Sequence, residues 1–224
     1  MASNQQNGEG KEVKNIAIIF TGTVASSLAQ KIINAFPFPE FEVNVVLTEK
    51  SKFFFDPKTL VNCKVYEDSS EWGLPVNGYV KDAKIPHIEL AKENDLLLII
   101  ASADFIAKMA NGLCDDLASS LYRAWQRHKP VVLAPAMNEW MYSHPIIKEH
   151  NKKLKKWGII IIEPIVKRLA CGTYGKGGLE DIFIIKYLIY MILSKKSRLV
   201  LLFFQVPLFL FFLRLFHFLC KRSF

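Results

Sequence analysis

Five short apolar runs constrain this chain more than anything else in it. Residues 15–21 (NIAIIFT), 41–47 (FEVNVVL), 95–101 (DLLLIIA), 131–133 (VVL) and 158–162 (GIIII) are rich in β-branched or aliphatic residues and nearly free of charge. A strand that is apolar on both of its faces must be covered on both, which is the signature of a parallel sheet inside an α/β sandwich. The stretches between the runs carry helical spacing over residues 26–36, 106–109, 115–126 and 146–156, with a short helical stretch after His87. This alternation predicts a doubly wound parallel sheet, a Rossmann- or flavodoxin-like three-layer sandwich, in one domain over residues 15–193. In such a sheet ligands bind beyond the carboxyl ends of the strands. The turns offered there are residues 22–25, 48–51 and 102–105, and the loop VVLAPAMNEWMYSHP over residues 131–145.

That last loop is largely apolar and holds one amide, Asn138, among Met137, Trp140 and Met141. Asn138 can be a turn residue and the other three can be core. The turn Gly22-Thr23-Val24-Ala25 between a strand and a helix offers main-chain amides to an anion. Neither a dinucleotide fingerprint nor a P-loop accompanies it. His87 opens a helix after a long loop over residues 67–86 and can face a cleft, whereas His144, just before Pro145, reads as a helix cap. Cys171 lies at the base of a mobile flap containing four glycines within residues 172–178, and its neighbour Arg168 favours a reactive thiol over an inert one. No Ser-His-Asp order or paired-carboxylate arrangement supports a hydrolase.

Charge and cysteine usage narrow the surroundings. The formal charge of +8 is concentrated in residues 148–156 and 195–198, with no helix-turn-helix, zinc-finger or RNA-binding pattern beside it. A solvated helix face and a basic tail are expected, not nucleic acid binding, and a basic surface suits a phosphorylated substrate. Cys63, Cys114, Cys171 and Cys220 are scattered, so neither a metal site nor a disulfide framework is expected, and a reducing, cytoplasmic location is. Residues 1–14 read as a disordered leader without the features of a signal peptide. The tail over residues 194–224 contains an apolar stretch, 199–220, interrupted by Gln205, Pro207, Arg214 and His217. It can be a membrane anchor, an extra packed or partner-bound helix, or an unnatural end.

Four segments together resemble a known family. Ala134-Pro135-Ala136-Met137-Asn138-x-x-Met141 is similar to the PAMNxxMW signature of the flavin-dependent cysteine decarboxylases, with Tyr142 where Trp is usual. Gly22-Thr23-Val24-Ala25 resembles their GSVA turn, and Pro86-His87-Ile88-Glu89-Leu90 their HIEL segment. Leu169-Ala170-Cys171-Gly172-x-x-Gly175-x-Gly177 resembles the substrate flap of the members that decarboxylate 4′-phosphopantothenoylcysteine for coenzyme A. The match runs in order from about residue 15 to 181.

The resemblance implies FMN, with its phosphate at Gly22, Thr23 and Val24, and with Ser51, Ser102, Ala103, Asp104, Phe105 and Ala136 holding the rest. It implies His87, Asn138 and Cys171 as catalytic residues, with Met137, Met141, Arg168 and Ala170 joining Asn138 and Cys171 around the substrate. The site is expected between protomers of a homotrimer. The implied chemistry oxidises the substrate's CH₂–SH to a thioaldehyde, loses CO₂, and returns the hydride. His87 would assist thiol oxidation, Asn138 would bind the carboxylate, and Cys171 would supply the closing proton. The usual SANT turn reads Ser102-Ala103-Asp104-Phe105 here, so an ionised Asp104 is expected to lower a flavin's reduction potential or weaken its binding. Two other readings stand beside this one: a peptidyl-cysteine decarboxylase, and a non-enzymatic relative that regulates a protein phosphatase. The Cys171 flap argues against the first, and the second often lacks that Cys or carries a long acidic tail.

Overall fold

The computed structural model describes residues 13–72, 81 and 83–194. Residues 1–12 of the leader, 73–80 and 82 of the long loop, and the tail beyond residue 194 lie outside them, so the expectations for those residues do too. The chain alternates as the apolar runs require. β1 (Lys14–Phe20) leads to a 3₁₀ turn and α1 (Ala29–Ile33), then β2 (Phe41–Leu47), β3 (Lys64–Tyr66), α2 (Asp68–Trp72) and α3 (Pro86–Glu93). β4 (Leu96–Ala101), α4 (Ala103–Asn111), α5 (Leu117–Ala124), β5 (Val131–Pro135), α6 (Glu139–Ser143), α7 (Pro145–Lys156) and β6 (Ile160–Ile161) follow. β7 (Ile165–Arg168), β8 (Tyr174–Gly178) and α8 (Ile182–Leu193) complete the described chain.

β1 to β6 form one parallel sheet in the order β3-β2-β1-β4-β5-β6. Side chains alternate between two cores, which is why the strand sequences are apolar at nearly every position. Ile16, Ile18, Phe20, Val45, Leu98 and Ile100 face α1 and α8, while Ala17, Ile19, Leu97, Ile99 and Leu133 face α3, α4, α5 and α7. Residues 16–20 and 96–101 are wholly buried. β1 leads to β2 on one side and β4 leads to β5 on the other, so the winding reverses between β1 and β4. Thr21 bridges the two strands at that point, donating to the Ile100 carbonyl at 2.8 Å and accepting from Ser102 N at 2.8 Å.

Local chemistry fixes the helices. Ser102 caps α4 by accepting from Phe105 N at 3.2 Å, and Gly112 ends that helix in the left-handed region at φ 74. α5 starts from a capping box in which Asp116 accepts from Ser119 N at 2.7 Å. His144 caps α7, accepting at Nδ1 from Ile146 N at 3.3 Å, as its place before Pro145 suggests.

Four expectations need correction. The first strand begins at Lys14, inside the supposed leader. The segment 67–86 contains α2, whose Asp68 carboxylate accepts from Leu117 N at 2.8 Å and so ties it to α5. The loop after β5 contains α6. The supposed flap is an antiparallel hairpin, β7–β8, with Cys171 at its turn instead of its base.

Candidate functional site

A cavity of about 470 Å³ lies at the reversal point, beyond the carboxyl ends of β1, β4 and β5. Its floor is the turn Gly22–Ala25 with Ser102 and Ala103, and one wall is Ala136, Met137, Asn138 and Met141. The hairpin supplies the other wall through Lys167, Arg168, Ala170, Cys171 and Gly177. Most of the residues singled out from sequence therefore meet here, although they come from four separate segments. Among the described residues the lining holds two cations, Lys167 and Arg168, and no carboxylate, which suits an anionic occupant.

The floor is prebuilt. Thr23 donates to the Ala136 carbonyl at 2.7 Å, so its hydroxyl ties the β1 turn to the end of β5. Gly22 runs so close to Lys50 that an added Cβ would lie 2.8 Å from the Lys50 Cβ. Ala136 N donates to the Ala101 carbonyl at 2.9 Å, aligning the β4 and β5 exits.

Asn138 is the N-cap of α6. Its Oδ1 accepts from Trp140 N at 2.8 Å, which leaves Nδ2 to face the hairpin, 3.2 Å from the Cys171 sulfur. The hairpin is held against this segment by Met137 N, which donates to the Gly177 carbonyl at 2.9 Å. A Cβ on Gly177 would sit 2.1 Å from the Met137 carbonyl oxygen, so that glycine serves close approach and not mobility. Hydrogen bonds from the Thr173 hydroxyl and main chain, and from Asn138, hold the exposed Cys171 thiol below the usual thiol range. A thiol in that condition gives up its proton readily.

A second cluster braces the outer side of the hairpin. Tyr142 donates to Glu163 at 2.5 Å, and Lys155 and Lys176 approach the same carboxylate at 3.3 and 3.2 Å. Burial pushes the Glu163 carboxyl up, but the bonds from Tyr142 and Lys176 outweigh it and keep it below the ordinary range. Tyr142, standing where the family signature has Trp, thereby links α6 to the connection between β6 and the hairpin.

Four expected site residues do not line this cavity. Ser51 is fully buried and its hydroxyl donates to the Thr48 carbonyl at 2.7 Å, inside its own turn. Phe105 belongs to the core beneath α4. Asp104 pairs with Lys50 at 3.2 Å, with both side chains more than half exposed. Its charge is thus partly balanced and screened, which weakens the expected effect on a flavin. His87 is bound by Glu71 of α2, which shares a hydrogen bond with the ring at Nδ1 and accepts from His87 N at 3.2 Å. Sequence reasoning missed Glu71, Lys167 and Thr173. Only Lys167 had a readable signal, its place beside Arg168 ahead of the cysteine.

The comparisons with known proteins bear on the fold and the family. The family model described as Flavoprotein matches residues 4–194. A phosphopantothenoylcysteine decarboxylase of Oryza sativa subsp. japonica is 36% identical over 168 residues, covering 74% of this chain and 74% of that one. Among solved structures, a Cys-to-Ser mutant of PPC decarboxylase complexed with pantothenoylaminoethenethiol matches with TM-score 0.77 and 32% identity, over 82% of this chain and 100% of that chain. The FMN-binding protein AtHal3 matches with TM-score 0.75 and 32% identity, over 84% of this chain and 100% of that chain. With the model spanning nearly the whole described fold, and the sheet reversal and cavity in their expected places, the chain belongs to the flavoprotein family.

Proposed function

We propose that this protein is an FMN-dependent decarboxylase that converts 4′-phosphopantothenoylcysteine to 4′-phosphopantetheine in coenzyme A biosynthesis. The observation that carries the reading is the approach of Asn138 Nδ2 to Cys171 Sγ, 3.2 Å apart on facing walls of one cavity. Relatives that match over most of their length are named for this activity, and one neighbour is named for binding FMN.

The residues present fit the cofactor. The cavity volume is in the range that holds small molecules. Gly22 lines the cavity floor, packed so close to Lys50 that a side chain has no room there, and Thr23 fixes the turn by its bond to Ala136. Gly22, Thr23 and Val24 would hold the FMN phosphate, with Ser102, Ala103 and Ala136 along the rest. When bound, FMN would supply the reversible two-electron redox chemistry that the substrate's CH₂–SH carbon needs.

The chain's own residues bind, orient and move protons. Asn138, with its oxygen occupied by Trp140 N, offers N–H to the substrate carboxylate without adding a negative charge. Lys167 and Arg168 supply positive charge for the substrate's phosphate, while Met137, Met141 and Ala170 give apolar walls. Once CO₂ has left, the Cys171 S–H gives its proton to the carbon that bore the carboxylate. His87 takes the proton of the substrate thiol at the start of the cycle. It stands outside the cavity of its own protomer, so a neighbour's His87 completes the site in a homotrimer. The exposed Trp140 and Phe53, 76% and 88% accessible, give such a neighbour apolar surface to cover.

The test is to purify the protein, ask whether it carries FMN, and assay CO₂ release from phosphopantothenoylcysteine. A yellow protein that releases CO₂ is expected. A colourless protein that cannot be reconstituted with FMN sinks the reading. A yellow protein that decarboxylates only a peptide with C-terminal cysteine selects the peptidyl alternative.

A further inference from the structure

We infer that Thr173 is the resident partner of the Cys171 thiol, a positioning residue that holds the sulfur for proton delivery and stabilises the thiolate left behind. This deepens the decarboxylase reading and rests on it. The hairpin turn is closed by Leu169 N donating to the Thr173 carbonyl at 2.8 Å and by Gly172 N donating to the Leu169 carbonyl at 2.9 Å. Gly172 occupies the left-handed region at φ 87, which lets the chain fold back within so few residues. The fold-back brings Thr173 Oγ1 to 3.1 Å from the Cys171 sulfur. Among the described residues the Thr173 hydroxyl has no other hydrogen-bond partner.

Asn138 is the second neighbour of the sulfur, but its task changes when substrate enters. A carboxylate is a stronger acceptor than a thiol sulfur, so the Asn138 N–H groups turn to the substrate. Thr173 has no such second task and stays with Cys171 both while the carboxylate is bound and after CO₂ has left. In that step the S–H bond breaks and a C–H bond forms at the carbon that lost CO₂, while the electron pair remains on sulfur. The hydride for the adjacent carbon is what bound FMN would supply. A hydroxyl is both donor and acceptor, so Thr173 can accept from the resting thiol and then donate to the thiolate. Water returns the proton afterwards, because Cys171 is exposed.

Thiol reactivity tests this directly in the full-length protein. Iodoacetamide alkylation of Cys171 is followed against pH by peptide mass spectrometry, with the exposed Cys114 of the same chain as internal reference. Thr173→Val, which keeps the shape and removes the hydroxyl, should slow Cys171 relative to Cys114 about five- to tenfold at neutral pH and move its midpoint upward. Thr173→Ser should restore both to within about twofold of wild type. In turnover, Thr173→Val should lower kcat with KM little changed. Equal alkylation in wild type and Thr173→Val, or a Thr173→Ser that behaves like Thr173→Val, overturns the inference. If alkylation responds as expected but the wild-type protein releases no CO₂, the decarboxylase reading falls, and the proton-delivery role with it, while the Thr173–thiol contact stands.

Discussion

Asn138 shows how a single side chain can be aimed by the half of it that does no chemistry. Its Oδ1 is consumed as the cap of α6, accepting from Trp140 N at 2.8 Å, and the amide's planarity then directs Nδ2 across the cavity. Aspartate at this position keeps the capping oxygen but has no donor when ionised, and it sets a negative charge against the incoming carboxylate. Asn138→Asp is therefore expected to melt within about 0.5 kcal/mol of wild type while kcat/KM falls at least about 100-fold, whereas Asn138→Ala loses about 1 kcal/mol as well as activity. Thermal denaturation alongside CO₂ release separates the two variants, and an Asn138→Asp protein as unstable as Asn138→Ala would contradict this orientation of the amide. The sequence marked Asn138 as the one amide in a largely apolar loop. It could not tell which end of the amide is free, because that depends on α6, a helix of five residues with too few turns to show periodicity.

At the scale of elements, the β7–β8 hairpin is where contact overrode composition. Four glycines near a cysteine suggest mobility, yet Gly177 is there because the Met137 carbonyl leaves no space for a Cβ, and β8 is thereby seated against the α6 segment. Whether a glycine loosens a chain or lets it approach another is decided by the neighbour it meets, which lies 40 positions away in sequence here. The sheet strands posed no such difficulty, since burial on both faces writes itself into their composition. α2 was hidden for a third reason: it is short and polar, and only its anchoring to Leu117 and His87 gives it a role. Gly177→Ala forces the hairpin off its seat and should destabilise the protein by about 1–3 kcal/mol. Hydrogen exchange should show the Met137 amide opening faster than in wild type, together with the amides of residues 165–178. Unchanged exchange at Met137 would show that the seat is not needed.

For the whole molecule, the separation of His87 from the cavity is the feature with most consequence. Its ring is fixed by Glu71, a buried carboxylate. With that carboxylate ionised it only accepts, and Nδ1 then carries the proton and leaves the lone pair of a base on Nε2. The motif containing His87 was legible in the sequence, but its distance from the other site residues was not, since a motif carries no information about which protomer it serves. If each site joins Asn138 and Cys171 of one protomer to His87 of the next, two inactive variants must complement one another. His87→Asn and Cys171→Ser proteins are each expected to be inactive alone. Mixed as subunits of a cyclic trimer, any combination of the two contains one junction with both native residues, so equal random mixing should restore about a quarter of wild-type activity. Size-exclusion chromatography of the mixture establishes that subunits have exchanged, and CO₂ release then measures the recovery. A site confined to one protomer cannot be rescued this way, because every chain in the mixture lacks one of the two residues. Exchanged trimers that remain inactive would therefore return His87 to a structural role beside Glu71 and leave the opening proton transfer to another group.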